Sequence, residues 1–374
     1  MKNKAKVIFI LFIAVSQFYF AKDFEGEDLV WKGINTFYSD YYDSAEIILT
    51  RARLQYPEHP AVHFVWAVSK WLKTQGYEGH KAAYTVLEES LDEISDDYKG
   101  LVEKYPDEAN YQLFKSATDG LMARVHLGKK EWIGVVYDGF RGFKGVKSVH
   151  KKYPELWDSY LAMGVFDFYV SNSSSIVQFF AGLLGVDSDR KKALENIQLA
   201  VEKGEYSWIE ASYILSFIYL WMDEQYEQSL PIIERLRVNF PEGMYVQHLA
   251  TEVLLYLGRL DEAEKNLSLS KKIIERLPPA SQKGWIPTLK YQNAYLLFLK
   301  GDLDTALNLV TQSIDEFDTE LDTPLGFGYV LRGKIHDLKG ERGKAISDYK
   351  SALKLDNYTS AMDDAEKYLR EPYQ

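Results

Sequence analysis

The chain has 374 residues, a formal net charge of −11 and no cysteine. Lack of cysteine excludes disulfides and lipid attachment through an N-terminal cysteine. The acidic balance disfavours nucleic acid as a partner, since phosphate binding needs a basic face.

The first segment, residues 1–21, reads as a targeting signal. Lys2, Lys4 and Lys6 precede an apolar run from Val7 to Phe20, the charged-then-apolar order of a secretory signal. Ala14-Val15-Ser16 is the best small-x-small cleavage site, so the mature chain is expected to begin near Gln17, in the periplasm or cell envelope. The run is short of the roughly 20 apolar residues a membrane span needs, which leaves an N-terminal membrane anchor as the alternative. Without the three lysines the charge balance becomes −14.

Residues 22–374 are expected to form one all-α domain. Gly33, Ala45, Ala52 and Pro57 are spaced by 12, 7 and 5 residues, small positions where two helices touch and a proline that closes the pair. An aromatic-proline stop recurs at Tyr56-Pro57, Tyr105-Pro106, Tyr153-Pro154 and Phe240-Pro241. Proline cannot continue a helix and pushes its predecessor out of the helical region. Val62 to Lys152 reads as an irregular stretch of longer helices. Gly164 and Ala193 repeat the small positions but lie 29 apart, so about 17 residues are inserted between two helices. The insertion, residues 171–189, contains Ile176-Val-Gln-Phe-Phe-Ala-Gly-Leu-Leu-Gly-Val186. It is either a core plug or a contact element, with Phe179 and Phe180 meeting ligand, partner or membrane surface. Further on, Ser229, Ala263, Ala306 and Ala345 follow at gaps of 34, 43 and 39.

The clearest unit is the last, Phe327–Asn357, two amphipathic segments broken by Gly340 and Gly343, with Gly333, Ala345 and Ala352 small and Tyr329, Ile335 and Tyr349 large. It resembles the tetratricopeptide repeat, a helix–turn–helix unit of about 34 residues. Five repeats are expected. The resemblance implies a right-handed α-solenoid that acts by binding. Its first-helix register would place Tyr291, Tyr295 and Phe298 on the concave face. His248, Glu252 and Leu255 would join them from the unit before, and Val330, Lys334 and Asp337 from the last. The order of motifs over Glu108–Pro241 also resembles the inclusion-body-clearance family of tetratricopeptide proteins, in particular a glycine-bearing helix, an apolar loop and Gly185-x-x-x-Asp189-Arg190. That likeness implies a helical scaffold without catalysis.

Chemical alternatives are weak. His59 and His63 are four apart with no third metal ligand at a fitting spacing. Gly182 to Gly185 could cradle phosphate, but Asp187 and Asp189 would repel it and serve as helix caps. No nucleophile motif accompanies the scattered histidines, and pairs such as Asp302/Asp304 suit a solvated face. No enzyme activity, cofactor or metal is expected. The expected function is capture of a protein or peptide segment in the groove. The alternative is a small-ligand carrier or envelope-assembly accessory, its apolar cavity closed by the insertion.

Overall fold

The computed structural model describes residues 24–172, 189–319 and 322–374. Residues 1–21, expected to be a targeting signal, and Phe179 and Phe180 of the insertion lie outside them. The described residues form seventeen helices and no strand. Sixteen make hairpins, and their chain order is an all-α solenoid. The first four hairpins are α1 (Glu27–Tyr38) with α2 (Tyr42–Gln55), α3 (Val62–Glu78) with α4 (His80–Lys104), α5 (Ala109–Lys129) with α6 (Trp132–Lys152), and α7 (Ser159–Ser171) with α8 (Arg190–Lys203). Then come α9 (Trp208–Trp221) with α10 (Tyr226–Asn239), and α11 (Met244–Tyr256) with α12 (Leu260–Arg276). The last two are α13 (Pro279–Leu299) with α14 (Leu303–Asp315), and α15 (Thr323–Leu338) with α16 (Arg342–Leu353); α17 (Ser360–Arg370) follows.

Local sequence explains these boundaries. Tyr56, Tyr105, Tyr153 and Phe240 each sit at the C-cap of a hairpin's second helix, with φ between −129° and −133°, where the following proline forbids another turn. Gly258, Gly301 and Gly340 take positive φ in the turns between paired helices, a conformation glycine adopts without steric cost. Ala45, Ala52, Ala193, Ala263, Ala306 and Ala345 have no exposed surface, as expected where helices cross closely. At Gly164 a methyl group would come within 2.7 Å of the Ala193 carbonyl oxygen and 2.9 Å of the Ile197 nitrogen. Backbone meets backbone there, and no side chain fits.

The repeat count expected from sequence was too low. Val62 to Lys152 is not irregular: it folds as two further hairpins with helices of 17 to 25 residues. Helices of this length stretch each hairpin beyond the repeat's period of about 34 residues, which hides the spacing.

The solenoid also closes on itself. Helix α3 packs against α13. Tyr38 Oη donates to Glu210 Oε1 at 2.6 Å, and Tyr206 Oη donates to Glu27 at 2.8 Å. Trp31 stacks on Tyr206, with centroids 5.5 Å apart. Asp40 Oδ2 accepts the Met244 backbone N–H at 2.6 Å, capping the start of α11 from a residue 204 positions away. Arg276 donates to the Ser39 carbonyl at 2.9 Å. One apolar core therefore runs from Val30 and Ile34 on α1 through Trp208 to Leu289 and Leu296 on α13.

Candidate functional site

Closure of the solenoid decides which first-helix side chains remain available. His248, Glu252, Leu255, Tyr291 and Val330, expected on the concave face, are buried. Leu255 belongs to the large core, while Tyr291 and Val330 pack into the local cores of the last hairpins, so these side chains do not line an open groove. Gln292 Nε2 donates to Glu252 Oε1 at 3.0 Å and to the His248 carbonyl at 3.0 Å, and lies 2.8 Å from His248 Nδ1. Trp221 stacks on the His248 ring at 5.3 Å, and Trp285 approaches it at 5.5 Å. Burial pushes the Glu252 carboxyl up to about 7, against the hydrogen bond from Gln292. It pushes the His248 imidazole down to about 3. At neutral pH the histidine is therefore uncharged, and the cluster works as an internal polar brace.

The other four expected residues, Tyr295, Phe298, Lys334 and Asp337, converge on the inner side of the last two hairpins. On α13 the spacing of three and four residues stacks Tyr291, Tyr295 and Phe298 as a ladder, with centroids 6.3 Å apart at each step. Tyr256, itself stacked on Tyr226 at 4.6 Å, meets Tyr295 at 5.6 Å. From α15, Lys334 Nζ donates to Asp364 at 2.6 Å and lies 5.0 Å from the Tyr368 ring centroid. The Asp337 side chain has no exposed surface. It accepts from Arg342 Nη1 at 2.9 Å and from Tyr349 Oη at 2.9 Å. Burial, then Asp337, holds the Tyr349 hydroxyl far above its ordinary range, so it stays a donor.

The chain after α17 brings Tyr373 against Phe298, the last ring of this ladder. Glu371 leaves α17 in an extended conformation, φ −129° and ψ 129°, and Pro372 prevents a return to helix. The Tyr373 backbone N–H donates to Asp337 Oδ2 at 2.9 Å. The Tyr373 ring packs 5.9 Å from Phe298 and edge-on to Tyr368 at 5.2 Å, with Lys334 Nζ 5.5 Å from its centroid. An aromatic side chain on extended backbone is thus held by a ring, a cation and a carboxylate that accepts from its amide. Sequence reasoning missed Tyr368, Tyr373 and Asp364, because the repeat pattern ends at Asn357 and these residues lie beyond it. The alternating charges and alanines of Ser360–Arg370, followed by Glu371-Pro372-Tyr373, were the available signal.

The two histidines four apart and the acidic helix start have structural partners. His59 Nδ1 accepts the Ala61 N–H at 3.2 Å, so its Nε2–H donates to Glu27 at 2.9 Å. His63 donates to the Pro57 carbonyl at 2.7 Å. Asp189 caps α8 by accepting from the Lys191 and Lys192 amides.

No family model and no curated protein matches the chain. Among solved structures, a tetratricopeptide repeat protein from Parabacteroides merdae aligns at 16% identity over 92% of this chain and 97% of its own, with a TM-score of 0.37. Yeast Tom70 aligns at 12% identity over 92% of this chain and 81% of its own, with a TM-score of 0.39.

Proposed function

We propose, for a chain folded as a tetratricopeptide-type α-solenoid, that it is a binding scaffold that captures an extended protein segment on the inner side of its last two hairpins. The observation that carries this reading is the seating of Tyr373, which follows the extended Glu371 and is held by Asp337, Lys334, Phe298 and Tyr368. Extended segments are recognised through backbone hydrogen bonds and side-chain pockets, and an aromatic anchor supplies most of the contact area. Those contacts bind and orient, and the reading assigns them no catalysis. Export to the periplasm or envelope, supported by the lysine-led apolar run of residues 1–21, completes the proposal.

The test is selection of displayed peptides on protein lacking residues 371–374. Selected peptides should carry an aromatic residue, bind the intact chain at least about tenfold more weakly, and lose affinity with Phe298→Ala or Lys334→Glu, in the range of interface hot spots. Peptides bound equally by these variants would place the binding surface elsewhere.

A further inference from the structure

Helix α6 presents an outward face that the groove does not use. Trp132, Ile133, Val136 and Tyr137 at its start are 64 to 88% exposed. Ile133, Tyr137, Lys144, Ser148 and Lys151 follow at steps of three, four or seven residues and lie on one helical stripe. Lys144, Ser148 and Lys151 are exposed. The stripe is therefore apolar and aromatic at one end and basic at the other.

The opposite face of the same helix is fixed. Gly142 approaches α5 so closely that an added methyl would lie 2.5 Å from the Gly120 Cα, and at Gly145 it would meet Ser116. Phe143, Val146 and Val149 are buried, and Phe143 stacks on Phe166 of α7 at 4.0 Å. The helix is thus clamped along its inner side. Its outer stripe, on a helix about 30 Å long, is presented as a preformed surface.

Charge selects the occupant. The chain is acidic overall, yet residues 139–152 contain Arg141, Lys144, Lys147, Lys151 and Lys152 and no Asp or Glu. Lys144 and Lys151 have no ion pair among the described residues. Lys130 and the exposed Leu127 stand at the turn before α6. Tyr169 of α7 is 70% exposed. Since Phe143 meets Phe166 in an antiparallel pair, Tyr169 lies toward the apolar end of the stripe. Trp and Tyr beside aliphatic residues, with lysines on the same face, match the boundary between anionic headgroups and acyl chains. No helix among the described residues is long and apolar enough to cross a membrane, so such contact would be peripheral.

We propose that the outward stripe of α6 docks this protein on an anionic lipid surface, with Trp132, Ile133, Val136 and Tyr137 entering the interface and Lys144 and Lys151 meeting headgroups. The experiment is flotation of the full chain with phosphatidylglycerol vesicles and with phosphatidylcholine vesicles. It is repeated with Ile133→Ser/Tyr137→Ser and with Lys144→Glu/Lys151→Glu, substitutions on exposed positions whose folding is checked by circular dichroism. The parent should float with phosphatidylglycerol only and be released by high salt, and each double variant should lose binding by at least about tenfold. Equal binding to both lipids, binding to neither, or undiminished binding by the variants would overturn the proposal. So would a concentration-dependent dimer abolished by Ile133→Ser/Tyr137→Ser, which would assign the face to a second copy of this chain.

Discussion

Glu252 shows what burial does to a single group. Its carboxyl titrates near 7 in the folded chain, against an ordinary value of 4.5, so folding favours its protonated form. The stability this gives is present in acid and is lost as pH rises from about 4.5 through 7, amounting to roughly 3 kcal/mol at 1.36 kcal/mol per unit. Glu252→Gln keeps an acceptor for Gln292 and removes the titration. Its melting temperature should therefore exceed the parent's at pH 8 and approach it at pH 4.5; a difference independent of pH would contradict the assignment. His248 acts in the opposite sense. Held near 3, it costs stability as pH falls below its ordinary value of about 6.5, and this contribution is common to both proteins. Sequence placed these two residues correctly on one helix face, but nothing local in the chain could say that the face was interior.

At the scale of elements, helix crossings were the most legible feature. Small residues and aromatic-proline stops report backbone requirements, and backbone requirements are local. Ala352 is 1% exposed within the apolar cluster formed with Tyr349, Ala361 and Ala365. Ala352→Phe should overpack that crossing and cost about 1–3 kcal/mol, while Lys350→Ala, at an exposed position, should cost less than about 0.5 kcal/mol. Chemical denaturation of the two variants checks both values, and equal midpoints would refute the register. The hairpins of α3–α6 were less legible, since helices of up to 25 residues stretch the spacing. Helix α17 was missed for a different reason: it caps the array, and terminal units need not carry the repeat's consensus. Three of the expected binding residues, Phe298, Lys334 and Asp337, contact Tyr373, but the segment that reveals their meeting comes from outside any repeat.

At the scale of the whole molecule, the closure contacts were invisible to sequence reasoning. Tyr38 and Glu210 lie 172 positions apart, and Asp40 and Met244 lie 204 apart; no pattern of neighbouring residues encodes such pairs. They alter the expected folding behaviour. An open solenoid is stabilised only by nearest neighbours and can lose its ends first. Here the first hairpin is locked to helices α9, α11 and α12, and α3 to α13, so native-state hydrogen exchange should protect α1 and α2 as strongly as α11. Asp40→Ala, which removes the cap of α11 and leaves the Met244 amide unpaired, should reduce protection in α1 and α11 together. Loss confined to α11 would show that closure contributes little. This closure also bears on how the chain can change over generations. Open arrays lengthen and shorten by duplicating or dropping whole units. In this protein, gaining or losing one hairpin between α2 and α9 would carry Asp40 away from Met244 and Tyr38 away from Glu210, so the number of units within that closed stretch is held fixed, while units beyond it are not.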